Sequence, residues 1–324
     1  MTRRGMVALA FLAAIHTAVL LAGFLAPYHF AEQHRDYPFA APMSLHFVDA
    51  AGRFHLRPFV TDPNHPARAY PIQLLVPAPQ GTEGLISFQR RLFGVPQPGV
   101  VFLLGADAYG RDIFSRLVYG AQVSLFTGLL AAFLSLGLGL FLGTLAGYFS
   151  GWPDQLLMRT GELVLALPWL YLLLAIRAFL PLHITSVQAF FLLIAVIGSV
   201  GWVRPARLVR GIVLSGKERD FVTAARGFGA SHFYLIRRHI LPLTWGILLT
   251  QATVLIPQYI LAEVSLSFLG LGVGEPVPSW GNMLAEGMQY HAVVSHAWLL
   301  LPGFATIPVL LCYLILADSV LEPR

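Results

Sequence analysis

Gly211-Ile212-Val213-Leu214-Ser215-Gly216-Lys217 occupies the first seven positions of a phosphate-binding loop, G-x-x-x-x-G-K-[ST]. The eighth decides against it. Magnesium needs a Ser or Thr hydroxyl there, and Glu218 would set a carboxylate against the phosphates instead. The strand that feeds such a loop, and the sheet behind it, have no counterpart in the flanking residues. The chain is therefore not expected to bind ATP itself. His46, His55 and His65 fit no standard metal-ligand spacing and have few acidic or cysteine neighbours, so they read as surface histidines. Cys312 is the single cysteine and sits in an apolar run, which excludes an internal disulfide. Neither a nucleophile-base pair nor an HExxH pattern occurs in the apolar runs. The reading is of a chain with no catalytic residues, no metal and no cofactor. Glu263 stands apart, a carboxylate inside an otherwise uncharged apolar run; if that run crosses a bilayer, it is a candidate for gating or for a hydrogen bond that ties two helices together.

The elements that must position these residues follow from composition. The 324 residues are 56% hydrophobic and 11% charged, where a soluble domain carries roughly a quarter charged residues. Mean hydropathy is +0.69. Several runs reach the roughly 20 apolar residues that one bilayer crossing needs, so the chain reads as a multi-span membrane protein. Its net charge of +5 is what a polytopic protein acquires by keeping Arg and Lys in cytoplasmic loops, and it is no sign of a nucleic-acid partner.

Six spans are predicted: Met6 to Ala26, Ser124 to Phe149, Leu156 to Leu180, Val187 to Val203, Gly246 to Leu269 and Ala297 to Ala317. The first is longer than the core of a secretory signal, so it reads as an uncleaved span. Arg3 and Arg4 place the N-terminus in the cytoplasm. After four crossings the chain is again inside, where Arg204, Arg207, Arg210, Lys217, Arg219, Arg226, Arg237 and Arg238 accumulate. Two independent counts thus give the same sidedness. The C-terminus also falls inside. Residues 27–116 are polar, Pro-rich and dotted with charges from Arg35 to Arg91, including Glu83; they read as an extracytoplasmic domain with strands around Met43 to Val60, where apolar and polar residues alternate. Arg159, Glu162 and Arg177 lie near the ends of the third span, within snorkelling reach of the interface, and His183 follows it. A short turn, Ser150 to Asp154, joins the second and third spans. Gly139, Gly143 and Gly147 fall on one helical face, which permits close approach of a neighbouring helix.

The basic loop contains ERDFVTAARGFGASHFYLIRRHILP, from Glu218 to Pro242. It predicts a helix to Phe228, a break at Gly229 and a second short amphipathic helix to Arg238 before Pro242. Ala224 and Ala225 give this helix-turn-helix a shallow surface, and Phe221, Phe228, Phe233 and Tyr234 supply apolar anchors. Such an exposed helix suits insertion into a groove of another protein.

Thr223-Ala224-Ala225, Gly229 and Ile240-Leu241-Pro242 together resemble the EAA loop of permease subunits in binding-protein-dependent ABC importers. The resemblance implies that this loop forms the coupling helix docked on an ATPase subunit. Thr223 replaces the usual leading Glu. Gly105-Ala106-Asp107-Ala108-Tyr109-Gly110-Arg111-Asp112, with Ser115-Arg116 and Tyr119-Gly120-Ala121, resembles the GTDxxGRDxxSRxxYGA signature of the second permease subunit in the dipeptide, oligopeptide and nickel branch; only Ala106 departs. Phe268 to Val273 and Pro278-Ser279-Trp280-Gly281-Asn282-Met283-Leu284 resemble the outer loop of that subunit between its fifth and sixth spans. The likeness runs from about Gly105 to the C-terminus.

What the resemblance implies is an all-α polytopic membrane protein with the six-helix type I ABC importer permease fold and a long extracytoplasmic insertion after the first helix. Residues 1–26 would form the cytoplasmic N-terminus and first span, 27–116 the extracytoplasmic domain, and 117–324 the permease domain with its coupling loop at 204–245. Implied partners are a homologous permease, two cytoplasmic ABC ATPase subunits, an extracytoplasmic binding protein and the lipid of a bacterial inner membrane. The implied cargo is a peptide, with nickel or another small solute as the alternative. An ion-driven secondary transporter is the rival class, but it would place paired ionisable groups near the bilayer midplane, and only Glu263 approaches that description.

Overall fold

The computed structural model describes residues 2–49, 52–78, 86, 88–181, 184–288 and 294–321. Glu83, His183 and the last three residues lie outside them. Uncharged runs of Leu, Ala, Phe and Gly satisfy their backbone only as helix when no water is near. The chain forms α1 (Arg3–Leu20), α2 (Ala22–Leu25), α3 (Ile113–Phe149), α4 (Gly151–Ala166), α5 (Trp169–Phe179), α6 (Ser186–Val200) and α7 (Val203–Lys217). Beyond them come α8 (Asp220–Gly227), α9 (His232–Leu235), α10 (Leu241–Phe268), α11 (Trp280–Gly287) and α12 (Leu301–Leu321). Among the described residues four helices are long and apolar enough to cross a membrane, or six if each of two bent pairs is one span. Two compact units result. One draws on residues up to Leu9, Thr127–Glu263 and residues from Leu310 onward; the other holds Ala10–Phe126 and Val264–Val309.

In the second unit the insertion is built from strands. β1 (His46–Val48), β2 (Phe54–Thr61) and β3 (Ala69–Pro71) form an antiparallel sheet in that order, and β4 (Gln73–Pro77) pairs with β5 (Arg90–Gly94). The alternation between Met43 and Val60 thus locates β1 and most of β2. Val60, Val101 and Phe102 are fully buried beneath the sheet with Tyr28 and Ile72. The Val101 N–H donates to the Tyr28 hydroxyl at 2.8 Å. The three histidines separate: the ring of His46 packs against Phe59, His55 lies 3.0 Å from Asp49, and His65 lies 3.7 Å from Asp62.

In the first unit the predicted glycine face packs on α7. A Cβ added at Gly139 would lie 2.5 Å from that of Pro205, one at Gly143 would lie 2.5 Å from the Ala206 carbonyl oxygen, and one at Gly147 would lie 2.8 Å from the Arg210 carbonyl oxygen.

Several span limits differ from the prediction, each for a local reason. The second helix starts at Ile113, not Ser124, because Asp112 caps it through the Ser115 N–H at 2.8 Å. The turn from Ser150 to Asp154 shrinks to Ser150, since Pro153 is tolerated in the first turn of α4. The third span is bent by 96° between α4 and α5, where Pro168 holds Leu167 in extended backbone. The fourth is bent by 45° between α6 and α7 at Gly201-Trp202. Arg177 is 2% exposed and donates to the Pro181 carbonyl in the turn after α5 at 3.2 Å. The sixth begins with a 3-10 turn, Ala297–Leu300, before α12.

Candidate functional site

The loop of small residues folds as its spacing predicts as far as Gly229. α8 ends in a Schellman motif: the Ala230 N–H donates to the Ala225 carbonyl at 3.1 Å and the Gly229 N–H to the Arg226 carbonyl at 3.0 Å. That closure requires a left-handed residue, and Gly229 supplies it at φ +86°. Ser231 then caps α9, accepting from the Tyr234 N–H at 3.3 Å. Val222 and Leu235 are fully buried, so their faces of the two helices turn inward. Thr223, Ala224 and Gly229 are exposed and Ala225 is half-buried. Together with Phe228, Ser231, Tyr234 and His239, the residues Ala225 and Gly229 line a shallow groove of about 480 Å³. Phe228 is 93% exposed at its edge.

Beyond this point the prediction fails. No helix ends before Pro242; a single helix runs from His232 to Phe268. Pro242 has no N–H to give to Arg238, and the ladder widens ahead of it into a π turn, Ile236–Ile240, where the Leu241 N–H reaches back to the Ile236 carbonyl. Leu241 and Pro242 therefore belong to the base of a long rod. Tyr148 is bonded to His232 Nδ1 at 2.7 Å, and Lys217 donates to the Ser150 hydroxyl at 2.8 Å, which ties this rod and α7 to the end of α3. Glu263 lies on the same rod, fully buried.

In the other unit the residues of the outer signatures come together. Gly105 and Gly110 adopt φ +84° and +72°, and a side chain at Gly110 would run into the His34 carbonyl. The turn between them aims Asp107 at the main-chain N–H groups of Tyr109 (2.8 Å) and Arg111 (3.0 Å), and at Arg111 Nε at 2.6 Å. Arg111 then spans to Glu275 at 2.6 Å and Glu286 at 3.0 Å, with the Tyr109 ring 4.8 Å from its guanidinium. Arg116 donates to the same two glutamates at 3.0 and 3.1 Å. Asp112 is excluded from this network and bonds Ser115 instead.

Across from the arginines, α11 carries a capping box of Ser279 and Asn282. Asn282 also donates to the Val277 carbonyl at 2.9 Å, and the Trp280 indole to the Leu117 carbonyl at 3.0 Å. Gly281 is glycine because any side chain would meet the Val264 carbonyl and Ser267. These contacts hold Glu275 and Glu286 in front of Arg111 and Arg116.

Two guanidiniums and three carboxyls balance only when one carboxyl is protonated. Burial and the neighbouring Glu275 carboxylate push Glu286 up to about 8. Burial also opposes ionisation of Glu275, but the hydrogen bond from Glu286 and the Arg116 and Arg111 charges hold it below the ordinary carboxylate range. Burial disfavours the Arg111 charge too, yet Asp107, Glu286 and Glu275 outweigh it and lift its pKa. Complete burial raises Asp112 to about 7 against its Ser115 bonds.

Sequence reasoning named Asp107, Gly110, Arg111, Asp112, Trp280, Gly281 and Asn282, and the structure brings them into one neighbourhood. It missed Glu275 and Glu286 as the partners of Arg111 and Arg116. Their local signal is two carboxylates flanking the Trp280 motif with no basic residue beside them.

Residues 139–324 match the family model described as binding-protein-dependent transport system inner membrane component. The dipeptide transport system permease protein DppC of Bacillus subtilis (strain 168) is 35% identical over 232 residues, 70% of this chain and 70% of that protein. A putative peptide transport system permease protein of Brucella suis biovar 1 (strain 1330) is 41% identical over 231 residues, 70% of this chain and 75% of that protein. The oligopeptide transport system permease protein OppC of Haemophilus influenzae is 35% identical over 224 residues, 68% of this chain and 70% of that protein. A solved MetNI methionine ABC transporter in inward-facing conformations superposes with a TM-score of 0.45 at 18% identity, covering 65% of this chain and 98% of that chain, a likeness too distant to inform the fold.

Proposed function

Because the chain belongs to the family of binding-protein-dependent transport system inner membrane components, we propose that it is the permease of an ATP-driven peptide importer, coupled to a separate ATPase through the surface from Thr223 to Gly229. It is a multi-pass membrane protein. The observation that carries the coupling is the exposed α8 turn: a small-residue groove edged by a 93% exposed Phe228, with Phe221, Phe233 and Tyr234 also exposed, is a contiguous apolar surface of the kind a partner protein covers. Thr223 offers no charge to that contact, so small-residue fit and the Phe228 anchor supply its affinity. Peptides are the cargo by analogy with the named relatives.

The remaining parts take their places in this reading. A homologous permease supplies the second half of the pathway, two cytoplasmic ATPases bear on the coupling loop at 204–245, and an extracytoplasmic binding protein delivers cargo to the side carrying residues 27–116 and the Arg111 cluster. Both termini are cytoplasmic, in the inner membrane. ATP-driven closure of the ATPases moves α8 as a lever and switches the spans of the domain at 117–324 between outward-open and inward-open states. The π turn and unbroken helix from His232 to Phe268 support this, because a continuous rod transmits a push at its base along its length. Glu263, buried on that rod, is a candidate for gating or for a hydrogen bond that ties two helices together.

Substitution of Phe228 by Asp tests the coupling. The variant should insert normally but fail to co-purify with the ATPases, and uptake should stop. Retention of both ATPases by the variant, or labelling of position 228 by an impermeant reagent from outside intact cells, would reject the assignment.

A further inference from the structure

Both bends of the Thr127–Glu263 unit open onto one cavity of about 110 Å³, lined among others by Leu167, Trp169, Gly201, Arg204, Gln258 and Tyr259. That volume holds several water molecules at roughly 30 Å³ each. The break between α4 and α5 and the break between α6 and α7 meet at this one cavity. Tyr259, 1% exposed, forms one wall; its hydroxyl is fixed by Ser135 at 2.9 Å and its ring stacks on Trp169 at 5.7 Å. Gly201 has no side chain because the Tyr259 hydroxyl fills that space.

Three polar side chains of the lining, Arg204, Gln258 and Trp169, bring N–H groups that no protein acceptor takes among the described residues. α7 carries three arginines at successive turns. Arg207 faces Glu162 at 3.7 Å and Arg210 donates to Asp154 at 2.6 Å. Arg204, the one that lines the cavity, is exposed at its rim and has neither an ion pair nor a hydrogen bond among the described residues, and the same lack of a protein partner holds for the half-buried Gln258 amide and the half-buried Trp169 indole N–H. Val164, Leu167, Val200 and Leu255 make the rest of the lining apolar.

We propose that this cavity is a way-station for the C-terminal carboxylate of the transported peptide, held by the Arg204 guanidinium, with Gln258 and Trp169 as further donors and the apolar wall accepting the last side chain. A planar fork of N–H groups matches a carboxylate in two parallel bonds. The assignment rests on the peptide reading above and adds a residue-level contact to it.

The test uses the whole importer in proteoliposomes, with its paired permease, ATPases and binding protein, and two probes, dialanine and dialanine C-terminal amide. The ratio of their uptake rates should fall in Arg204→Gln by on the order of tenfold, the worth of a charge-assisted hydrogen bond, and Arg204→Lys should restore part of it. A second readout keeps Arg204 intact. In a Cys312→Ser background, Gln258→Cys should react with a water-soluble maleimide, and dialanine should slow that reaction while its amide does not. An unchanged uptake ratio in Arg204→Gln, or no protection at position 258 in a complex that takes up dialanine, overturns the way-station and leaves the peptide reading standing. Failure of the wild-type complex to take up either probe, while its binding protein still stimulates ATP hydrolysis, removes the peptide reading and the way-station with it.

Discussion

Replacing Glu286 by Gln probes the charge balance of the outer cluster directly. Arg111 and Arg116 face Asp107, Glu275 and Glu286, and the sum closes at zero when Glu286 keeps its proton. Folded, the pair of glutamates holds that proton to about pH 8; an ordinary Glu releases it near 4.5. The folded protein therefore binds more protons than the unfolded chain across that window. Stability is fully present below about 4.5 and is lost as pH rises through about 8. Each tenfold gain in proton affinity on folding is worth about 1.4 kcal/mol, but the side chains of Glu286 and Glu275 are 29% and 45% exposed, so solvent screening reduces the total to about 1–2 kcal/mol. Gln at 286 still donates to Glu275 and cannot ionise. Thermal midpoints of the importer in nanodiscs, from pH 5 to 9, should lie closest for wild type and Glu286→Gln at the acid end, separate steadily as pH rises and level off above about 8, the variant becoming the more stable by about 1–2 kcal/mol. Asp112 has a raised pKa as well, and its loss of the same sign is common to both proteins, so the difference curve isolates Glu286. Parallel curves, or a variant less stable than wild type at pH 9, would refute the shared proton.

Arg111→Gln removes the closer ion pair of Asp107, whose side chain is 3% exposed, and should cost about 3 kcal/mol, the low end for a buried pair, because Arg116 stays 3.7 Å away and the N–H bonds from Tyr109 and residue 111 survive; the readout is the thermal midpoint, and Arg111→Lys should recover less than half, since one ammonium cannot span three carboxyls. Gly143→Val forces a side chain against the Ala206 carbonyl and should destabilise by about 1–3 kcal/mol, seen as lower folded yield in detergent, whereas Gly137→Ala, with nothing within 4 Å of the added carbon, should match or exceed wild type.

Features set by neighbours in sequence were legible. Gly229 ends α8 because its left-handed backbone is a local requirement, and the interval of four between Gly139, Gly143 and Gly147 already defines a helix face. Span limits were less legible, because hydropathy averages over the residues that bend a helix. Pro168 bends its span by 96°, yet Pro257 and Pro308 sit inside unbroken helices, so proline alone does not decide; what differs is the extended backbone of Leu167. The ion cluster was half legible. Arg111 and Asp107 are four residues apart and share a motif, but Glu275 and Glu286 lie 164 and 175 residues from Arg111, and no local pattern links charges across that distance. Sequence could nominate the arginine and not its counter-charges.

The helix α3 carries both solutions that a membrane protein has for holding helices together. At its start, beside Arg116, the attachment is ionic: side chains 1% and 5% exposed are neutralised by carboxyls from the loop after Phe268. Such a network is worth keeping only if every charge is answered, because one orphaned ion in a buried site costs more than the network contributes. Further along, from Gly139 to Gly147, no α3 residue is charged and lipid tails are as apolar as leucine, so hydrophobic exclusion gives no reason for helices to meet. There the contact depends on removing side chains, so that backbones approach within van der Waals reach of α7. The two attachments respond to different perturbations. The ionic end is sensitive to pH and to the loss of a single charge. The glycine face is indifferent to pH and sensitive to one added methyl group. A variant that weakens both would act through neither mechanism alone, which is why Glu286→Gln and Gly143→Val, compared across pH, separate them.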